Sequence, residues 1–247
     1  ILFLSDDFPP KSFGGAGIVA FEQARALLLR GHSVSVITTT QDKKEEGVAL
    51  FEGLTVYRIY STYPERCRAY VSLYNPQVVS KVKKIFVDSR PDIVHAHNVH
   101  YFLSYYSLIL AKKYSKAVCL TTHDVMSFHY GKLFPQKRFV GGKYLFDYRV
   151  SPWTQFRHYG LRYNPLRNFF IRRALKSVDR IFTVSNALAD ALRVQGVEKV
   201  MILHNGIDAS KFSPDQLSID AFKKQHNLVG KKVMLFGGEL VGQKVAM

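Results

Sequence analysis

An α/β fold built on a doubly wound, mainly parallel sheet is predicted by three features of this sequence. Short apolar, β-branched runs alternate with segments of helical apolar spacing, at separations suited to βαβ units. The residues that follow those runs, Asp6, His97, His123, Ser185 and Asn205, are all polar, as a ligand crevice at the C-terminal edge of such a sheet requires. The chain can also fill a core: 47% of its 247 residues are hydrophobic and 13% aromatic, enough apolar surface to offset the entropy of ordering. Disorder is excluded on that ground, and the length fits one large domain or one domain with part of a second.

Residues 1–5 are an apolar first strand. A loop over 6–13 carries Pro9 and Pro10, and Gly14, Gly15 and Gly17 then open a helical pattern that stops at Gly31, a residue suited to the C′ position. Residues 33–40 are β-branched and apolar, as in a buried strand, while 48–51 and 54–60 flank Glu52-Gly53 as a hairpin. A helix over 78–86 stops before Pro91, and strands at 93–96 and 117–122 enclose a helix over 102–113. A strand at 180–184, a helix at 187–194 and a strand at 200–203 complete the series. The expected first domain spans 1–209; 210–230, with Pro214 and mixed charges, reads as a linker with a short helix. Residues 231–236 read as a new strand before Gly237 and Gly238, so 231–247 is expected to be the truncated start of a second domain.

Charge narrows the partners. Thirty-five Lys and Arg against 19 Asp and Glu leave a formal net charge of +16, which favours an anionic partner. More than half of the excess lies in 127–173, where ten Lys and Arg face only Asp147 and alternate with Phe, Tyr and Trp. Rings interleaved with cations suit an anionic membrane surface or an anionic acceptor, the reading preferred here over a solvated insertion and over single-stranded nucleic acid. The best apolar run, 101–111, is short and broken by Ser104 and Ser107, so any membrane contact is peripheral. Two cysteines, Cys67 and Cys119, build neither a disulfide framework nor a thiolate metal site; a reducing, cytoplasmic location is expected, on the cytoplasmic membrane face if peripheral.

Several residues are candidates for chemistry. Gly14, Gly15 and Gly17 stand between a strand and a helix N-terminus, where free amides favour a phosphate and a missing Cβ lets it approach; a merely flexible turn fits them as well. A nicotinamide site is disfavoured, because the glycine loop is long and Thr38-Thr39-Thr40 ends the second strand without an acid for a ribose. His95 and His97 share a strand face and His100 lies beyond its end, with no carboxylate at ligand spacing beyond Asp92, which favours a buried or edge-lining role over metal ligation. His123, beside Asp124, could hydrogen-bond a substrate hydroxyl or be a satisfied strand-end histidine. Ser185 reads first as a helix N-cap and Asn205-Gly206-Ile207-Asp208 as a turn.

Taken in order, these segments resemble one family, the retaining glycosyltransferases of family 4, whose GT-B architecture faces two Rossmann-like domains across a cleft. The resemblance rests on Asp6 through Pro9-Pro10 to Gly14-Gly15-Ala16-Gly17, Arg30-Gly31-His32-Ser33-Val34, Pro91-Asp92-Ile93-Val94-His95-Ala96-His97, Thr122-His123-Asp124, Val178-Asp179-Arg180 with Thr183-Val184-Ser185, and Asn205-Gly206-Ile207-Asp208 before Phe212 and Pro214. It implies sugar transfer from a nucleotide-diphosphate sugar to an acceptor held by this first domain, with retention and without a bound metal or other cofactor. By motif, Gly14 and Gly15 would approach the donor diphosphate, with Ser185 at the crevice edge and Lys244 as a cation from the second domain, while His123 would stand beside the transferred sugar and the acceptor. The basic aromatic segment falls where acceptor recognition varies, so an anionic or lipid-linked acceptor is expected. Where the family has a glycine then arginine and later a lysine then glycine, this chain has Gly238, Glu239, Lys244 and Val245. An acid there would repel the diphosphate. As given, the chain is expected to lack transferase activity; the alternative is a non-catalytic domain that binds a membrane or a partner.

Overall fold

A computed structural model describes residues 1–12, 14–209, 213 and 215–234. The chain divides into two compact units, 1–205 and 206–247. In the first, the strands are β1 (Leu2–Ser5), β2 (Ser35–Thr40), β3 (Gly47–Phe51), β4 (Leu54–Tyr60), β5 (Ile93–His97), β6 (Ala117–Thr122), β7 (Gln136–Val140), β8 (Lys143–Asp147), β9 (Arg180–Thr183) and β10 (Val200–Ile202). Its helices are α1 (Gly15–Leu29), α2 (Arg68–Val71), α3 (Pro76–Ser89), α4 (Tyr106–Tyr114), α5 (Pro152–Tyr159), α6 (Arg167–Leu175) and α7 (Asn186–Val194). The second unit contains α8 (Gln216–Gln225).

Eight strands form one sheet in the order β10-β9-β6-β5-β1-β2-β4-β3, parallel except for β3 at its edge. This is the doubly wound half expected from the alternation of apolar runs. Because β2 and β5 flank β1 on opposite sides, the chain reverses its direction of winding there, which opens a crevice beyond the strand ends. Side chains of β1 are buried on both faces. Phe3 packs with Ala20, Ala24 and Val36 under α1, and Leu2 and Leu4 join the larger core under α3, α4, α6 and α7.

Local chemistry explains the boundaries. Asn75 caps α3 by accepting from Gln77 N (3.0 Å), and Pro76 occupies the first turn, where its missing N–H costs nothing. Between β3 and β4, Glu52 and Gly53 take φ of +49° and +80°, the conformation a two-residue hairpin turn demands. The helix expected over 102–113 begins four residues late, at Tyr106. The backbone amides of Tyr101, Phe102 and Leu103 are instead turned towards the carboxylate of Asp6.

The basic aromatic insertion is more regular than its composition implied. It holds α5, most of α6, and the isolated ribbon β7–β8, joined by Gly141 and Gly142 at φ +59° and +78°. In the second unit, Asp215 caps α8 by accepting from Ser218 N (2.9 Å). Of the strand expected over 231–236, residues 231–234 have no regular structure, since no other strand pairs with them among the described residues. Residues 235–247, with Gly237, Gly238, Glu239 and Lys244, lie outside the described residues. Among the described residues no helix is long and apolar enough to cross a membrane.

Candidate functional site

The crevice is built around Asp6, the first residue beyond β1. Its buried carboxylate accepts from Tyr101 N (2.7 Å), Phe102 N (2.8 Å) and Leu103 N (2.8 Å), which ties the loop after β5 to the end of β1. Burial pushes this carboxyl up to about 7 against the pull of those amides, and the neighbouring Asp7 charge adds to the rise. Asp6 O also accepts from Thr39 Oγ1 (2.6 Å), drawing in the end of β2.

Asp7 shapes the glycine loop. Its Oδ2 lies 2.5 Å from Ser12 Oγ and accepts from Gly14 N (3.2 Å). Gly17 is the glycine that packing requires: a Cβ there would come within 2.5 Å of Ser12 Oγ, 2.7 Å of Asp7 Oδ2 and 2.8 Å of Asp7 O. At Gly14 and Gly15 a Cβ would meet nothing within 4 Å, so nothing inside the protein demands glycine at either position. Gly14 is the N-cap of α1 without a side-chain bond, and no acid lies in the first helical turn. The positive end of α1 therefore faces an open surface, with the Asp7 carboxylate beneath it.

Across the crevice, His95, His97 and His123 form a row with ring centroids 4.6 Å and 5.3 Å apart. Desolvation drives His95 down to about 4 and His97 well below the ordinary imidazole value. His123 is also lowered by burial, while the Asp124 and Asp7 carboxylates oppose that shift. All three rings are thus neutral at pH 7, and His97 Nδ1 lies 3.0 Å from His123 Nε2. His97 Nε2 is buried without a partner. An orphan lone pair costs less than an orphan N–H, so the proton of His97 belongs on Nδ1, donating to His123 Nε2. His123 then carries its own proton on Nδ1, as a donor. Asn98 steadies the loop: its Oδ1 accepts from His123 N (3.3 Å) and its Nδ2 donates to Asp124 Oδ2 (3.2 Å).

Beyond Asp124 the wall turns cationic. His100 Nε2 lies 3.4 Å from Asp124 Oδ2, and the Arg68 guanidinium stacks 3.6 Å over the Tyr101 ring. Arg167 is fully buried, donates to Met126 O and to Asn168 Oδ1, and lies 5.8 Å from the centroid of the Tyr130 ring. The Nε atoms of Arg68 and Arg167 are buried without partners. A cavity of about 300 Å³ opens here, its lining including Arg66, Arg68 and Arg162, the single acid Glu65, and the rings of Tyr130 and Tyr159. Among the described residues no group of three His, Cys, Asp or Glu is placed to hold a metal.

The sequence candidates thus fall along one sheet edge. Gly14 and His123 come towards the same carboxylate, Asp7, one by a hydrogen bond and the other by its field. Ser185 follows β9, two strands from β5, and its Oγ accepts from Leu188 N (3.3 Å) as the N-cap of α7. Among the described residues no hydrogen bond joins it to His123. Lys244 lies outside them. Sequence reasoning missed Asp7, Asn98, Arg68 and Arg167 as site residues. For the first two the signal was present, since each adjoins a polar strand-end residue; the two arginines reach the site only through tertiary packing.

The family model of Glycosyltransferase Family 4 matches residues 13–211. No curated protein matches the chain significantly. Among solved structures, sucrose-phosphate synthase from Thermosynechococcus elongatus is similar over 92% of this chain and 52% of its own, at 16% identity and a TM-score of 0.60. A second structure of that synthase matches over 93% of this chain and 99% of its own, at 14% identity and a TM-score of 0.50. The chain spans about half the length of the first of these structures. At such identity the likeness is one of fold, the Rossmann-like half of GT-B. With an Asp-anchored crevice at the reversal of the sheet and a family match over most of its length, the chain belongs to Glycosyltransferase Family 4.

Proposed function

We propose that this chain is the acceptor-side half of a retaining glycosyltransferase that moves a sugar from a nucleotide-diphosphate donor to an anionic, phosphate-bearing or lipid-linked acceptor. One observation carries the reading: the open N-terminus of α1 at Gly14 and Gly15 and the neutral His123 border the same crevice across Asp7. The helix end offers backbone donors and a positive dipole to a leaving diphosphate. His123, held in register by His97 and Asn98, offers a fixed donor to a sugar hydroxyl. The cavity of Arg66, Arg68 and Arg162 supplies cations for an acidic group on the acceptor, next to the Asp124 loop.

Two experiments test it. Sugar transfer by the full product of the gene, from a panel of nucleoside-diphosphate sugars to neutral, phosphorylated and lipid-linked acceptors, should favour acceptors that carry a phosphate. Calorimetric binding of a hexose phosphate to this chain should weaken at least tenfold in Arg68→Ala, the loss expected for one charge-assisted contact. Equal use of neutral and phosphorylated acceptors would remove the anionic reading. The alternative of a non-catalytic binding domain would be favoured if no donor were consumed while a membrane or partner still bound.

A further inference from the structure

The ribbon β7–β8 has no role in the crevice and packs neither face into the core. Every residue of it but Asp147 is exposed, yet Phe139, Val140, Tyr144, Leu145 and Phe146 are each between 50% and 65% exposed. A two-stranded ribbon is marginal on its own in water, and exposing five large apolar side chains adds to the cost. The register sorts the residues by face. Lys137 opposes Phe146 and Phe139 opposes Tyr144 on one side; Arg138 opposes Leu145 and Val140 opposes Lys143 on the other. Both faces therefore carry apolar groups together with cations. Lys137 Nζ lies over the Tyr144 ring, 5.4 Å from its centroid, so cation and ring share one face of the ribbon.

We propose that the β7–β8 ribbon is a membrane-docking wedge that inserts its rings into the interface of an anionic bilayer, with Lys137, Arg138 and Lys143 at the lipid phosphates. A groove on a protein partner would cover one face and leave the other in water, whereas the headgroup region solvates both faces at once. Pairing with a second copy through the ribbon edges is opposed by the three cations that would be brought together. The surplus charge of the surrounding segment, ten Lys and Arg against Asp147 over 127–173, matches the sign of an anionic leaflet. The inference stands apart from the sugar-transfer reading, because it uses no residue of the crevice.

The test is flotation of this chain with vesicles of mixed phosphatidylglycerol and phosphatidylcholine, against phosphatidylcholine alone. Binding is expected only to the anionic vesicles. Replacing Lys137, Arg138 and Lys143 by Gln should lower the partition coefficient by on the order of a hundredfold, at about fivefold per cation near the surface. The triple change Phe139→Ser, Tyr144→Ser, Phe146→Ser should lower it at least about tenfold at constant charge. If that variant misfolds, exchange of residues 136–147 for a Gly-Ser linker tests the same point. The only tryptophan is Trp153, so Phe139→Trp in a Trp153→Phe background gives a single reporter, which lipids brominated near the headgroup should quench. The proposal is overturned by unchanged vesicle binding in the ring and linker variants, by no vesicle binding at all, or by absence of quenching. Tighter binding to single-stranded nucleic acid at matched ionic strength, or dimerisation lost on removing the rings, would overturn it equally.

Discussion

Three glycines enter α1, and the structure assigns them different duties. In Gly17→Ala, the new Cβ would start 2.5 to 2.8 Å from Ser12 Oγ, Asp7 Oδ2 and Asp7 O, against about 3.4 Å for ordinary contact. Something must move by 0.6 to 0.9 Å, and one of the three atoms is backbone. Overpacking of that kind costs about 1–3 kcal/mol, and a weakened Asp7 bond to Gly14 N adds about 1 kcal/mol. The better helix propensity of alanine returns about 1 kcal/mol. The net is a destabilisation of roughly 1–3 kcal/mol, or about 2–12 °C in Tm for a chain of this size. Gly14→Ser is the contrasting change: the site is open, its φ of −154° is extended, and serine is a better N-cap than glycine, so Tm should hold or rise slightly. If glycine at 14 serves an incoming diphosphate, that variant of the full gene product should nonetheless lose sugar transfer. Thermal denaturation of the two variants beside a transfer assay decides the matter. A neutral Gly17→Ala, or a Gly14→Ser that is fully active, would refute the reasoning.

Asp6→Ala strands three backbone amides and should destabilise by roughly 3 kcal/mol in denaturant titration, with partial recovery in Asp6→Asn, which keeps one acceptor oxygen. Stability should rise with pH from about 4 to 6.5. His95 and His100 fall to about 4 on folding and His97 lower still, so the unfolded chain binds more protons in that window and stability is lost on acidification. Asp6, raised to about 7, has the opposite sign, since its contribution is present below its unfolded value near 3.8 and lost as pH climbs towards 7. Three histidines outweigh one carboxyl, and a denaturation midpoint that fell between pH 4.5 and 6.5 would contradict the balance. Nitrogen chemical shifts should show the Nδ1–H form for both His97 and His123; the Nε2–H form at His97 would invert the donor assignment.

Much of the fold was legible because its strands are buried on both faces and therefore read as continuous β-branched runs, as in β2 and β6. The β3–β4 hairpin was legible from Glu52-Gly53. The start of α4 was not, because a residue 95 or more positions away, Asp6, takes the amides that would have opened the helix. The β7–β8 ribbon had a turn signal in Gly141-Gly142, but its strands, Gln-Lys-Arg-Phe-Val and Lys-Tyr-Leu-Phe-Asp, lack the apolar–polar alternation of a half-buried strand. At the site, sequence position placed His123 and the glycines at the strand ends. It could not distinguish Gly17, where a Cβ would collide with Asp7, from Gly14 and Gly15, where a Cβ would meet nothing within 4 Å.

The central claim is that the ends of β1, β5 and β6 form one wall of a sugar-transfer cleft in which His123 donates a hydrogen bond to the reacting sugar or acceptor. It is tested most directly by kcat for transfer in the full gene product carrying His123→Ala, with Tm measured alongside. Removing one preorganised donor should lower kcat by about 10²–10³, with Tm lowered by a few degrees because His97 Nδ1–H loses its acceptor. Transfer within a few-fold of the unaltered enzyme would contradict the account.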